Sequence, residues 1–153
     1  MHVSIEEENI TVYGRLHMNP ETQKTIDEFL LKKEDVCDGI IDQFEETLGL
    51  VPFILPILRE RPDSFAFNGL GDLYTFNPES MDRKTAELLA VSAAAAMGAD
   101  ACLKVHIGAA LKEGATRAEV RDTINIAALI GKTSILGSSF RVMNMAIPED
   151  ESD

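Results

Sequence analysis

The sequence predicts an all-α fold, a bundle of six or seven helices joined by short connections. Apolar residues recur at three- and four-residue spacing along most of the chain. Capping residues and glycines separate these stretches, and no clear strand pattern follows residue 18. With 153 residues, the chain is long enough for one domain with its own core.

The chain divides into three predicted parts. Alternating apolar positions in residues 1–18 indicate a short extended N-terminal arm, in which we interpret His2 and His17 as surface residues. Residues 19–146 form the helical domain. The acidic residues 147–153 are typical of a disordered tail.

The first two helices are predicted from their caps and apolar stripes. Asn19 is a typical N-cap, with Pro20 at the first helical position. A second helix begins near Asp35 and ends at Gly49. Cys37 falls on its apolar stripe, where a free cysteine usually behaves as a small hydrophobic residue.

Two further helices are predicted before residue 80. The proline-broken segment 50–56 leads into a brief helix that runs through Leu58. Pro62 begins the next, which ends at Asn77-Pro78. Its predicted inward-facing residues are Phe65, Leu70, Leu73 and Tyr74.

The strongest helical signals lie in the second half of the chain. Asp82 caps an alanine-rich helix that ends at Gly98. We expect Asp100 to cap the next helix, which ends at Gly114. A capping box, Thr116 to Glu119, opens the last long helix. Its internal glycines, at positions 131 and 137, predict a kink, a break or a tight helix contact.

Charge and motifs exclude several classes of function. The net charge of −12 argues against nucleic-acid and anionic-membrane partners, which require clustered Lys and Arg. No apolar run is long enough for a membrane span, and the acidic N-terminus does not resemble a signal peptide. The two cysteines form no disulfide framework. From these features we expect a cytoplasmic protein. No nucleotide-binding or nucleophile-elbow motif occurs, and we expect no cofactor.

One segment combines three residue types that support thiol chemistry. Cys102 and His106 are four residues apart, so they share a face of one helix. Glu87 lies on the preceding helix. At 1.5 Å per residue, Glu87 and His106 lie roughly 16 and 12 Å from the turn at Gly98, so they can meet across an antiparallel pair. His106 is then a candidate base for the thiol proton, and Glu87 a candidate to orient its ring.

Two other interpretations of these residues stay open. A Cys and a His at this spacing arise often by chance, and a buried Glu–His pair can be purely structural. Glu87, Cys102 and His106 make only a weak zinc site, because they lack a known ligand spacing.

Residues Gly49 to about Met145, some two-thirds of the chain, resemble the carboxymuconolactone decarboxylase and alkylhydroperoxidase D-like superfamily. The matching pieces are Leu48-Gly49-Leu50-Val51-Pro52, Ala86-Glu87-Leu88-Leu89-Ala90, Cys102-Leu103-Lys104-Val105-His106, and Ala110-Leu111-Lys112-Glu113-Gly114-Ala115 followed by Glu119. The resemblance implies a helical bundle that assembles into homotrimers or hexamers.

The redox branch of that superfamily carries Glu…Cys-x-x-Cys-x-x-x-His. Glu87, Cys102 and His106 match it, but Ala99 stands where the first cysteine belongs. The resemblance therefore implies a single-cysteine centre at Cys102, resolved by an external thiol. Cys37 is the only internal candidate for a resolving thiol.

Three functional hypotheses follow. The first is a thiol-dependent oxidoreductase of peroxidase type, which acts on a peroxide or a disulfide with a small thiol or redox protein as reductant. The second is a decarboxylase-type lyase on a small organic acid, for which the nearby cations are Arg83, Lys84 and Lys104. The third is a helical oligomer whose catalytic site has been lost.

Overall fold

The computed structural model describes residues 18–147, and all regular secondary structure in this range is helical. The seven helices are α1 Pro20–Leu30, α2 Lys33–Leu48, α3 Ile54–Leu58, α4 Pro62–Thr75, α5 Arg83–Met97, α6 Asp100–Lys112 and α7 Arg117–Ala146. The predicted all-α bundle is therefore confirmed. Residues 1–17 and 148–153, which hold His2, His17 and almost all of the predicted arm and tail, lie outside the described residues.

The predicted helix starts are confirmed where a side chain caps them. The carboxylate of Asp82 accepts a hydrogen bond from the Thr85 backbone at the start of α5. Thr116 and Glu119 form the capping box at the start of α7. At the end of α5, Gly98 adopts φ +65°, a left-handed conformation that strains any residue with a side chain. This glycine turns the chain back, so that α6 packs antiparallel to α5.

The buried apolar residues form two separate clusters. The first joins α2, α3 and α4 and contains Cys37, Ile40, Leu55, Phe65 and Ala66. The second joins α5, α6, α7 and the loop before α7, and contains Val91, Ala110, Ala115 and Val120. Helix α2 also contacts α6, and the ammonium group of Lys112 binds backbone carbonyls of Glu46 and Thr47 at the end of α2. This contact brings the end of α2 towards the second cluster.

Tyr74 does not face inward as predicted, since 79% of its surface is exposed. Phe65 is buried, and Leu70 and Leu73 pack against the first cluster. At about 100° per residue, Tyr74 lies nine residues and half a turn away from Phe65. The buried stripe of α4 is therefore narrower than the sequence pattern suggested.

Helix α7 continues for 30 residues through both of its internal glycines. A Cβ atom added at Gly131 or Gly137 would meet nothing within 4 Å, so neither glycine marks a close helix contact in the described chain. The predicted break and the predicted contact within the chain are both wrong. Residues 128–147 are exposed except for the half-buried Gly131, so no packed neighbour interrupts the helix there.

Candidate active site

Glu87 is the only buried charged side chain among the described residues, with 0% of its surface exposed. It lies on the second turn of α5, where the cap at Asp82 fixes the start of the helix. An ionised carboxylate in such a position is very unfavourable unless charged or hydrogen-bonding partners compensate it. Its partners therefore define the site.

Each oxygen of the Glu87 carboxylate has one partner. Oε2 lies 2.8 Å from Nδ1 of His106 on α6, which confirms that these two residues meet across the antiparallel pair. Oε1 accepts a hydrogen bond of 2.8 Å from the guanidinium group of Arg83, one turn earlier on α5. Because a carboxylate only accepts hydrogen bonds, His106 donates through Nδ1–H. The Nε2 atom of a neutral ring is then free to accept a proton.

Arg83 extends this network to the end of α4. Its guanidinium group donates to the backbone carbonyl of Phe76 and, over 3.4 Å, to the side-chain oxygen of Asn77. The ring of Phe76 stacks on the imidazole of His106, with centroids 5.2 Å apart and planes 8° from parallel. His106 is therefore held at its Nδ1 edge and on one face.

A small pocket surrounds this network at the junction of the two apolar clusters. Its interior has room for about one water molecule. Helices α2, α4, α5 and α6 and the residues just after α4 contribute its lining: Phe44, Thr47, Leu48, Leu73, Phe76, Asn77, Arg83, Glu87 and His106. The Glu–His pair thus adjoins a small pocket between the two apolar clusters.

Cys102 is exposed and lies in the first turn of α6. The predicted N-cap at Asp100 is wrong, because Ala99 occupies that position and its carbonyl accepts the Leu103 N–H over 2.8 Å. The chain leaves the left-handed Gly98 so directly that Asp100 is already helical. No side chain caps α6, so the backbone N–H groups of its first turn, which also carries the carboxylate of Asp100, have no side-chain acceptor.

Cys102 and His106 lie one turn apart on α6, at about 5–6 Å between Cβ atoms for this spacing. Helical side chains lean towards the N-terminus, so the imidazole leans towards the turn that carries Cys102. Within residues 18–147 no hydrogen bond joins the two side chains, and Cys102 does not line the pocket. The structure brings Glu87 and His106 into contact, while the thiol of Cys102 shares only a face of α6 with His106.

Cys37 lies in the first apolar cluster and is fully buried. Its thiol donates to the carbonyl of Pro62 over 3.4 Å, and burial raises its pKa. These are the properties of a structural thiol, because a raised pKa disfavours the reactive thiolate. A resolving role for Cys37 stays a prediction, and it would require the first cluster to open.

Of the three predicted cations, only Arg83 lines the pocket. Lys84 instead forms an ion pair of 2.9 Å with Glu119 on α7. Lys104 is exposed on α6. Across the described range, no three His, Cys, Asp or Glu side chains come close enough together to hold a metal ion.

Sequence reasoning missed the way in which Arg83 and Phe76 hold the Glu–His pair. The spacing of Arg83 and Glu87, four residues on one helix, was an available signal for their ion pair. Phe76 and Phe44 gave no such signal, because one follows α4 and the other lies on α2, and no sequence spacing relates either of them to His106.

Comparison with known families gives one match. The family model described as "Carboxymuconolactone decarboxylase family" matches residues 63–144, which is more than half of the chain and includes Arg83, Glu87, Cys102 and His106. No curated protein and no solved structure matches the chain significantly. None of the described helices combines the length and hydropathy that a membrane crossing requires.

Proposed function

We propose that this chain, which belongs to the carboxymuconolactone decarboxylase family, is a thiol-dependent oxidoreductase with Cys102 as its reacting thiol. One observation carries the proposal: a buried carboxylate holds His106 by Nδ1, one helical turn from an exposed thiol. This arrangement provides a nucleophile, a base and a group that orients the base. Such a set supports thiol chemistry better than it supports any other reaction class.

The first turn of α6 carries Cys102 and also the carboxylate of Asp100. Its unpaired backbone N–H groups stabilise negative charge, and Ala99 offers no side chain to occupy them. His106 accepts the thiol proton at Nε2, and Glu87 stabilises the imidazolium that results.

With a peroxide as substrate, the reaction balances with these residues alone. The thiolate sulfur attacks the terminal peroxide oxygen, so that an S–O bond forms and the O–O bond breaks. The imidazolium of His106 gives its proton to the departing hydroxide or alkoxide, which leaves as water or an alcohol. Sulfur is oxidised to a sulfenic acid and the peroxide is reduced.

Regeneration requires a thiol from outside the chain. Position 99 carries alanine, and Cys37 is buried in the first cluster. A small thiol attacks the sulfenic sulfur to give a mixed disulfide and water. A second thiol then displaces Cys102 and leaves as the external disulfide. A redox protein with two thiols supplies both equivalents.

The decarboxylase-type alternative has weaker support. It needs a cation for the carboxylates of an organic acid, but the guanidinium group of Arg83 is engaged by Glu87, Phe76 and Asn77. The pocket also has room for only about one water molecule.

The test measures the reactivity of Cys102 at pH 7 in the wild type and in His106→Ala. We expect faster alkylation than for free cysteine, a slower rate in His106→Ala, and a sulfenic acid that a dione probe traps at Cys102 after mild oxidation. Mass spectrometry assigns the modified cysteine, with the buried Cys37 as internal control.

Free-cysteine kinetics in both proteins would refute the proposal and favour a chain without thiol chemistry. Turnover of an organic acid that persists in Cys102→Ser would favour the lyase instead.

We also propose that the protein is a homo-oligomer, a trimer or hexamer as the resemblance implies. The second half of α7 supports this, because residues 128–147 are exposed and carry many large apolar side chains: Leu129, Ile130, Ile135, Leu136, Phe140, Val142, Met143, Met145 and Ile147. Lys132 and Arg141 are the only charged residues there, whereas the whole chain has a net charge of −12. A second copy of this acidic chain could therefore pack against the exposed apolar residues of α7, and its negative charge would be compatible with Lys132 and Arg141.

A further inference from the structure

Two residues orient the imidazole of His106, and both accept hydrogen bonds from Arg83. Glu87 binds its Nδ1 edge, and Phe76 covers one of its faces. The guanidinium group of Arg83 donates to the Glu87 carboxylate and also to the backbone carbonyl of Phe76. The hydrogen bond and the ring stacking described for His106 therefore both lead back to one side chain.

These contacts cross the junction between the two apolar clusters. Arg83 begins α5, Phe76 directly follows α4, and His106 lies on α6. Without the guanidinium group, Phe76 and Glu87 would be linked only through the ring that both of them hold. The imidazole ring could then shift together with either Glu87 or Phe76.

We propose that Arg83 is a positioning residue, whose guanidinium group fixes the orientation of His106 by holding Glu87 and Phe76 at once. Its planar fork is suited to this task, because separate nitrogens point at separate acceptors. One nitrogen binds Glu87 and the other binds Phe76 and Asn77. A lysine ammonium is a single point of charge and cannot span the same acceptors. The kinetic consequence rests on the proposed thiol chemistry, whereas the ring orientation does not.

The kinetic test compares Cys102 alkylation in Arg83→Ala with the matched control Lys84→Ala. Lys84 is the next residue, and it also loses an ion pair when replaced, but its partner Glu119 lies outside the pocket. We expect Arg83→Ala to react more slowly than the wild type by up to about 30-fold, because a cysteine of ordinary pKa is still about 3% thiolate at pH 7. Lys84→Ala should stay within about twofold. Equal rates in the two variants would overturn the proposal.

Chemical rescue of Arg83→Ala distinguishes the role of the planar guanidinium geometry from the role of its positive charge. The Arg83 side chain is 23% exposed, so a small cation from solution can enter the space it leaves. Methylguanidinium should restore at least part of the Arg83→Ala rate, and methylammonium at the same ionic strength should not. Equal rescue by both cations would overturn the geometric role.

A second measurement is independent of the thiol. In the wild type, ¹⁵N shifts of the His106 ring should report one tautomer with the proton on Nδ1, whereas Arg83→Lys should show a mixture of tautomers. This conservative variant also carries the kinetic comparison if Arg83→Ala does not fold. If wild-type Cys102 reacts like free cysteine, the proposed function fails, and the tautomer measurement alone decides the role of Arg83. An unchanged tautomer in Arg83→Lys would overturn that role.

Discussion

Replacing Glu87 by glutamine tests the site with almost no change in shape. The wild-type carboxylate accepts hydrogen bonds from Arg83 and from His106. A glutamine side chain has one accepting oxygen and one donating amide. Arg83 can only donate, so the oxygen must turn towards it and the amide must face His106. Nδ1 of His106 then has to accept, which moves the ring proton to Nε2.

This switch has a modest cost in stability. Two hydrogen bonds to a charged acceptor, each worth about 1.5–3 kcal/mol, become hydrogen bonds to a neutral amide, of which one still involves a charged donor. The lower cost of burying a neutral amide offsets part of the loss. We therefore expect the free energy of unfolding to fall by about 2 kcal/mol in Glu87→Gln. Glu87→Ala leaves Nδ1–H of His106 without its acceptor and the Arg83 charge without its carboxylate, and should lose about 3–5 kcal/mol.

A loss of thiol reactivity should accompany this stability change. With a proton on Nε2, a neutral His106 cannot accept the thiol proton from Cys102. General acid–base catalysis typically contributes a factor of about 100 to 10,000, and a fixed wrong tautomer removes it. Alkylation proceeds through the thiolate, and a cysteine of ordinary pKa near 8.5 is still about 3% thiolate at pH 7. Alkylation of Cys102 in Glu87→Gln should therefore slow by up to about 30-fold, although the fold is retained.

Three measurements on one set of proteins decide the matter. Urea unfolding gives the stability, alkylation gives the thiol reactivity, and ¹⁵N shifts give the His106 tautomer. Glu113→Gln is the matched control, because it makes the same change at an exposed glutamate at the end of α6. A wild-type tautomer in Glu87→Gln, or an alkylation rate within twofold of the wild type, would refute this reasoning.

Three further predictions concern acid stability, assembly and the missing thiol. Hydrogen bonds from the backbone at the start of α7 and from a neighbouring lysine lower the pKa of Glu119 from 4.5 to about 2. Its stabilisation is complete above pH 4.5 and is lost as the pH falls towards 2, so urea midpoints should fall more steeply over this window in the wild type than in Glu119→Gln. In sedimentation, Ile135→Asp should form smaller assemblies than the wild type, and the exposed control Gln43→Asp should not; equal sizes would contradict an interface along α7. Mild oxidation of Ala99→Cys should give a disulfide to Cys102 with a mass loss of about 2 Da, because the two positions lie one turn apart at the start of α6; two free thiols would contradict this.

The fold was predictable because its main signals are local. A cap such as Asp82 acts through hydrogen bonds within one turn, and Gly98 through its own backbone conformation. The errors arose where local signals competed or were absent. Asp100 is of a residue type that is common at N-caps, but the tight turn after Gly98 placed Ala99 at the N-cap position of α6.

Contacts of the site between helices joined by one turn were predictable from the sequence, whereas contacts that depend on the packing of the two apolar clusters were not. The pairing of Glu87 and His106 followed from counting residues on either side of one turn, since antiparallel helices bring similar offsets within reach of long side chains. The placement of Phe76 over His106 depends on how the two apolar clusters pack, and no spacing in the sequence encodes it. Arg83 was noticed as a cation but not as a partner of Glu87, because its spacing alone does not distinguish a surface ion pair from a buried one.

The free-energy cost of burying the Glu87 carboxylate at the junction of the two clusters supports a functional role for this residue. Burying a carboxylate with a guanidinium group and an imidazole gains little stability over apolar side chains of similar volume, and such replacements are often neutral or stabilising. Packing therefore gives no reason for a charged Glu87 at a position with 0% exposure. What the charge does provide is a fixed Nδ1–H on His106 and an Nε2 atom that can accept a proton, on the same helix face as an exposed thiol. A buried carboxylate that stabilises little but sets the tautomer of a histidine supports the proposed chemistry at that thiol.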